Sequence, residues 1–322
     1  MGICSRIIVV VVCIWMSGAR AAPPAGPAQG PAPEAMEALL DRSAPQAERN
    51  QAMRQLVASA QGGNGHAAFY LAALYRHGMD HPARWVEREV ETARFWLEKC
   101  VESDRCPLIA LASLAELELA AGNVKPAMQW AQAWVVLDRE REKRLRGPRP
   151  QDNTRDMPYR HTAYHAYLLD RCYKAMSPAK DVEAVGRGWF QELTRTHGAR
   201  LDRMLFADLD EAPGPDGPGH DDRPRLQLAT ESQRTRIMGD DVRTPIGPSL
   251  GLFLYRGNPA GGRAEGVWVI EALPSPVRAR GLEAQVRALR MSPYAVPPDG
   301  RRAYAYVPMS FSDGTYSLTP PR

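Results

Sequence analysis

The chain has 322 residues, with 41 lysine and arginine residues against 37 aspartate and glutamate residues. A balance this even argues against nucleic acid as a partner. The length allows about two domains, and the 26 glycines and 28 prolines are clustered, which predicts linkers rather than a disordered whole.

Residues 1–21 have the pattern of a secretory signal peptide. Arg6 precedes the apolar run IIVVVVCIWM, and small residues flank Arg20 just before a cleavage point at Ala22. A membrane span needs about 20 apolar residues, which this run does not reach. We therefore predict a periplasmic protein with a cleaved signal peptide. An uncleaved inner-membrane anchor is the alternative.

After a Pro/Ala-rich tether at 22–33, the pattern over 34–200 is helical. The clearest segment is GHAAFYLAALYRHG, in which small and apolar residues recur at helical spacing and Gly78 ends the helix. The helical segments come in pairs, and the pair recurs with a period of about 40 residues. This arrangement predicts an α-solenoid, in which each helix pair buries its apolar faces against its neighbours.

The pattern A-x-Y-L-A-x-L-Y-x-x-G, followed after a loop by A-x-x-W-L-x-K, resembles the Sel-one-like repeat, a relative of the tetratricopeptide repeat. The resemblance covers 65–101 and part of 107–138. It implies a protein-interaction scaffold rather than an enzyme. The matching residues are Ala68, Tyr70, Leu71, Ala72, Leu74, Tyr75, Gly78, Ala93, Trp96, Leu97 and Lys99.

Residues 201–247 are predicted to be an acidic, Pro/Gly-rich linker, and 248–322 a small α+β domain. Strand-like GLFLYRG and EGVWVIEAL precede a short helix, GLEAQVRALR. The PPDG turn then predicts a hairpin. Its second strand has one face of Ala303, Ala305, Val307 and Met309 and another of Tyr304 and Tyr306.

This order of elements resembles the C-terminal domain of TonB-type proteins over roughly 248–312. In that family a helix leads into a strand, a glycine turn and a strand ending in V-P-x-x-F. The resemblance implies a small antiparallel domain that binds another protein. The matching positions are Leu282, Glu283, Val286 and Leu289 on the helix, and Pro293, Gly300, Val307, Pro308 and Phe311 on the hairpin. The Tyr-Pro entry motif of the family is absent here.

Removal of the signal peptide leaves three of the five cysteines, namely Cys100, Cys106 and Cys172. Cys100 and Cys106 flank a predicted turn between two helices, where their Cα atoms can approach to about 6 Å. In an oxidising compartment we expect this pair to form a structural disulfide. Cys172 would remain a free thiol.

The segment HTAYHAYLLDRC offers weak candidates for metal binding. His161 lies about 10 Å of helical rise from Cys172, too far to share one ion. Only His165 and Cys172 could contribute together, and the glutamate of a zinc-protease motif is missing. Packing or solvent exposure is the simpler interpretation, and no metal or other cofactor is predicted.

The sequence contains no nucleophile elbow, phosphate-binding loop or zinc-protease motif. We therefore predict a non-enzymatic periplasmic adaptor, whose solenoid and TonB-like domain each bind another cell-envelope protein. No small-molecule substrate is evident, and membrane association would come through a partner. Two alternatives stay open: a TonB-type energy transducer held by an uncleaved N-terminal helix, and an enzyme acting on cell-wall material or β-lactams.

Overall fold

The structure is a computed structural model. It describes residues 31–146 except 104, 163–177, 181–210, and 248–311 except 297, 299 and 301, together with the short strands at 15–16 and 226–227. Within these residues the chain is mainly helical, with a small antiparallel sheet in its C-terminal part. No helix in the described ranges is both long and apolar enough to cross a membrane.

The helical part, residues 33–210, contains eight described α-helices. The first seven helices pack on their neighbours in chain order, whereas the eighth packs on the sixth and the fourth. A short 3-10 helix, Gly78–Asp80, follows the third helix. The α-helices are α1 Pro33–Leu40, α2 Gln46–Gln61, α3 Gly65–His77, α4 Val90–Glu102, α5 Ile109–Ala120, α6 Val124–Arg146, α7 Ala163–Ala175 and α8 Val182–Asp210.

Helix α8 is longer than the sequence analysis predicted. The predicted linker at 201–247 begins inside it, because α8 continues to Asp210. Leu201, Met204 and Leu205 are buried at helical spacing and extend the apolar stripe of α8. The prediction of a linker from residue 201 is therefore wrong for 201–210. Apart from 226–227, the rest of that linker lies outside the described residues.

The C-terminal part forms two small sheets and one helix. The main sheet has the order β1-β7-β3-β5, and the smaller sheet has the order β2-β6-β4. The ninth described α-helix, α9 (Pro276–Ala288), packs on β3, β5 and β7. The strands are β1 Trp15–Met16, β2 Leu226–Gln227, β3 Ser249–Arg256, β4 Gly262–Arg263, β5 Gly266–Leu273, β6 Arg290–Met291 and β7 Tyr304–Phe311.

The predicted hairpin is not formed as a pair of adjacent strands. β6 and β7 lie in different sheets, and β7 pairs along its whole length with β3. The connection folds back instead, because the Tyr294 hydroxyl donates to Gly257 O at 3.0 Å and accepts from Ala303 N at the same distance. Gly300 does adopt the positive φ that the turn requires, at 73°.

The main sheet lies between two layers of helix. One face packs on α9 and the other on the helical part, where α1, α3 and α5 contact β5, and α7 contacts β7. The alternation predicted for β7 is confirmed, since Ala305, Val307 and Met309 join the core with α9, whereas Tyr304 joins the core of the helical part. The ring of Tyr306 stacks on that of Tyr70 in α3, with centroids 5.9 Å apart.

Candidate functional site

The contact between the sheet and the helical part is centred on Glu271 of β5, whose side chain is fully buried. A β-bulge decides where this carboxylate points. Val269 is opposite Phe253 and Glu271 is opposite Leu252, so Ile270 is an extra residue in β5. Because side chains alternate along a strand, the extra residue turns Glu271 toward the helices instead of toward α9.

Three side chains of the helical part converge on this carboxylate, and we call the four residues the Glu271 cluster. Arg76 at the end of α3 donates from Nη2 to Oε1 at 2.6 Å, and His77 Nε2 lies 2.6 Å from the same oxygen. Ser113 of α5 donates from Oγ to Oε2 at 2.9 Å. Both carboxylate oxygens therefore have partners from the helices.

The electrostatics favour an ionised Glu271. Burial by itself would raise the pKa of its carboxyl, but the Arg76 guanidinium and His77 outweigh it and hold the pKa well below its ordinary value. Burial lowers the pKa of His77, and the guanidinium of Arg76 lowers it further. A buried carboxylate opposite a buried guanidinium is a charge pair whose loss on one side is costly.

His81, in the loop after α3, extends the contact along β5. Its Nε2 lies 3.1 Å from Ile270 O, and its Nδ1 accepts from Ala83 N at 3.0 Å. Only the neutral ring with its proton on Nε2 fits both partners. Burial lowers the pKa of His81 to about 4, and the neighbouring His77 adds to the effect.

A second polar contact joins the other end of the sheet to α1. The carboxylate of Glu37 accepts from Tyr304 of β7 and from Arg256 of β3. Arg256 also reaches Glu265 and lies over the ring of Trp268. Two polar anchors thus fix the sheet to the helices, one at each end of the strands.

The cluster does not have the geometry of a catalytic site. The Ser113 hydroxyl donates to the Glu271 carboxylate and not to a histidine, and the lowered pKa of this carboxyl makes it a weak base for activating the hydroxyl. Ser113 and Glu271 are fully buried, and His77 is 6% exposed. The arrangement holds two layers together rather than reaching a substrate.

The two edges of the main sheet differ. On β5, the carbonyl oxygens of Val267, Ile270 and Ala272 accept from Arg287, His81 and Arg76, respectively. The Ala272 amide donates to the Glu271 side chain at 2.7 Å. These side chains occupy backbone groups that a further strand would need, so this edge is closed.

The outer side of β7 is different. Gly257 N donates to Ala303 O at 2.8 Å. In an antiparallel pair this places the backbone N–H and C=O groups of the odd-numbered residues of β7 on the side that faces β3. The even-numbered residues, which include Pro308 and Ser310, therefore direct their backbone groups outward. Pro308 has no amide proton to present, as expected for a strand at a sheet edge. In the described part of the chain only Trp15–Met16 pairs on this side, opposite Tyr306 and Ala305.

The residues of the predicted repeat motif lie together in α3 and α4. They build the core between these helices, and Gly78 has a positive φ of 57°. Tyr75 and Trp96 are partly buried, and Lys99 is exposed and pairs with Glu102. The buried members are Ala68, Tyr70, Leu71, Ala72, Leu74, Ala93 and Leu97.

The residues matched to the TonB-type pattern are distributed over α9 and the strands. Leu282, Val286 and Leu289 pack with Val307 in the core beneath the sheet. Pro293 lies against Gly261, which directly precedes strand β4 of the smaller sheet. Glu283 pairs with Arg287 on the outside of α9. Of Phe311 the structure describes only the backbone position at the end of β7.

Cys100 and Cys106 form a disulfide, with Cα atoms 5.1 Å apart. The loop that it closes packs on the start of α3, where a Cβ on Gly65 would lie 2.0 Å from Ser103 Oγ. Cys172 is a free, buried thiol. Burial raises its pKa to about 12, which leaves it protonated at physiological pH.

The weak metal candidates are not assembled into a site. His165 Nε2 lies 3.0 Å from Asp138 of α6, and its ring packs edge-on against Trp134 at 4.3 Å. His161 lies outside the described residues. Among the residues described, no group of three or more His, Cys, Asp or Glu side chains is arranged to hold a metal ion.

Sequence reasoning did not identify the Glu271 cluster. Arg76 and His77 lie in the helical segment GHAAFYLAALYRHG and Glu271 in the strand segment EGVWVIEAL, and these periodic patterns do not show which side chains meet. A single acidic residue inside an otherwise apolar strand was the available signal.

No family model, curated protein or solved structure matches this chain.

Proposed function

We propose that the protein is a periplasmic interaction scaffold that binds an extended segment of a partner along β7. The observation that carries this proposal is the difference between the two sheet edges. β5 has its outward backbone groups occupied by side chains, whereas β7 directs the backbone of alternate residues outward. Strand addition uses such main-chain groups for affinity.

The pairing of Trp15–Met16 with β7 supports the same site, because it places an antiparallel backbone at Tyr306 and Ala305. Cleavage before Ala22 would remove this segment and leave the edge available. The scaffold proposed here therefore becomes competent after export, when the signal peptide has been removed.

The same proposal takes the helical part as a Sel-one-like α-solenoid and the C-terminal part as a TonB-like domain. The sheet covers one face of the helices, so a partner of the solenoid would use another face. On α4, the side chain of Phe95 is 49% exposed, packs edge-on against Trp96 and lies beneath the Lys99 ammonium. Aromatic side chains are enriched in protein contacts, so the exposed ring of Phe95 marks this face as a candidate for one.

The test of the β7 site uses a photo-crosslinking residue at position 310, introduced into the chain in its own cell envelope. We expect a specific covalent adduct with an envelope protein. Ser310→Pro removes an outward amide without touching the β3 ladder and should abolish strand addition. Ser310→Ala retains that amide and is the matched control. If both variants bind the captured partner equally, strand addition at β7 is excluded.

The location has its own test, which is the N-terminus and mass of the protein from fractionated cells. A chain that begins at Ala22 and is released with the periplasm supports the scaffold. Retention of Met1 in the inner-membrane fraction would favour the anchored energy transducer instead.

A further inference from the structure

The contact between the sheet and the helical part combines an apolar surface with histidines that must be neutral. We propose that this contact is an acid-released latch, in which protonation of His81 and His77 separates the sheet from the helices while each part keeps its own core. The inference does not depend on the proposed binding site at β7.

The geometry at His81 makes it the main trigger. Its Nδ1 accepts from Ala83 N, and its Nε2 faces Ile270 O. A second proton on the ring must go to Nδ1, where it would point at the Ala83 amide and remove that hydrogen bond. The charged ring would also be buried beside His77, so acid strains the loop where it meets β5.

His77 acts in the same direction. Its Nε2 lies 2.6 Å from Arg76 Nη2 as well as from Glu271 Oε1. A cationic imidazole would be attracted by the carboxylate but repelled by the guanidinium, inside a site that excludes water. The charged groups that influence His77 are Arg76, Arg88 and Glu271.

The other elements packed against the cluster do not supply a compensating charge. From α5 the cluster receives Ser113, which is neutral. The buried Glu116 of α5 is already paired with Arg171 and Tyr164 of α7. Acid therefore adds positive charge next to Arg76, and within the described residues Glu271 is the one carboxylate bonded to that guanidinium.

Each part also has apolar packing that does not involve the other and that can survive separation. On its α9 side the sheet packs with Leu282, Val286 and Leu289. The helices pack on each other and carry their own ion pairs, such as Arg94 with Glu118. What separation exposes is the remaining face of the sheet, which carries Leu252, Leu254, Ile270, Leu273 and Tyr304.

Hydrogen exchange of the intact chain, corrected for the intrinsic pH dependence, tests the latch. With the pKa of His81 at about 4 when docked and about 6.5 when free, protonation of this ring alone weakens docking about 30-fold at pH 5. We expect the amides of Ala83 and Ala272, which donate to the side chains of His81 and Glu271, to lose protection by about this factor between pH 7.5 and 5. The backbone amides within helices α5 and α6 should keep their protection. Uniform loss throughout the chain, or no loss at β5, would overturn the proposal.

Two variants with matched controls locate the trigger. His81→Gln keeps a donor for Ile270 O but cannot be protonated, so most of the pH dependence should disappear. His66→Gln changes a partly buried histidine that makes none of the hydrogen bonds of the cluster, and should leave the release at β5 unchanged. Glu271→Gln should release the sheet already at pH 7.5, whereas Glu118→Gln, in a pair within the helices, should not. If Glu271→Gln stays docked at pH 7.5, the latch is not held by this cluster.

Discussion

Glu271 and Arg76 are 195 residues apart in the sequence, and their side chains meet at 2.6 Å in a buried charge pair. The pair joins a strand of the C-terminal sheet to the end of α3. Since a buried charge needs its partner, this contact fixes the position of the sheet on the helices.

Removing this carboxylate should be strongly destabilising. Glu271→Ala leaves the Arg76 guanidinium buried without its counter-charge and removes the acceptor to which the Ser113 hydroxyl donates. We expect a loss of about 3–5 kcal/mol in the free energy of unfolding, measured by urea denaturation. Glu283→Gln, in an exposed pair with Arg287, should change it by less than about 0.5 kcal/mol. Equal effects of the two variants would contradict the role of the buried pair.

Gly78 is required at the end of α3. Its φ is 57°, and a Cβ there would lie 2.3 Å from Arg88 N. Gly78→Ala should therefore cost about 2 kcal/mol or more. Gly188→Ala is the control, because Gly188 lies within α8 with open space around its Cβ position. That substitution should stabilise the protein by about 0.5–1 kcal/mol, measured by thermal unfolding.

The disulfide should contribute modestly to stability. Cys100 and Cys106 are separated by six positions, and closing so short a loop stabilises the folded state by about 2 kcal/mol in the chain-entropy model. Unfolding in urea with and without a reductant measures this difference. A Cys100→Ser/Cys106→Ser variant should match the reduced protein and show no response to the reductant. A reductant effect that persists in the variant would place the sensitivity elsewhere.

Stability should fall as the pH is lowered below 6.5. Burial lowers the pKa of both His66 and His81 to about 4 in the folded protein. Between pH 6.5 and 4 the unfolded chain therefore binds more protons than the folded one, so the free energy of unfolding decreases with decreasing pH. Denaturation curves across this range should show the slope. His66→Gln should reduce that slope by up to one proton, and an unchanged slope would show that His66 titrates normally.

Cys172 should be unreactive in the folded protein. The thiol is fully buried and its pKa is about 12, so little thiolate is present and a reagent cannot reach it. We expect alkylation by iodoacetamide at pH 8 to be at least about 100-fold slower than in urea, followed by mass spectrometry. Rapid modification without unfolding would mean that α7 opens to solvent.

Local sequence patterns predicted most of the secondary structure. The spacing in GHAAFYLAALYRHG defines α3, and the alternation after PPDG defines the two faces of β7. The predicted order of strand, strand, short helix and hairpin is correct for β3, β5, α9 and the final strand β7, but the hairpin pairing is not formed. These features depend on contacts between residues close in sequence, which a pattern can represent.

The sequence by itself thus determined the helical character of the first two thirds, the strands of the C-terminal part and a cysteine pair close enough to bridge a turn. Only the tertiary structure decided that β7 pairs with β3 and that the sheet packs on the helices. The bulge at Ile270 moves the Glu271 side chain to the other face of the sheet. The alternation in EGVWVIEAL gives no sign of this bulge. The physical reason is that strand partners, bulges and buried charge pairs depend on distant residues, whose approach is fixed by packing of the whole chain.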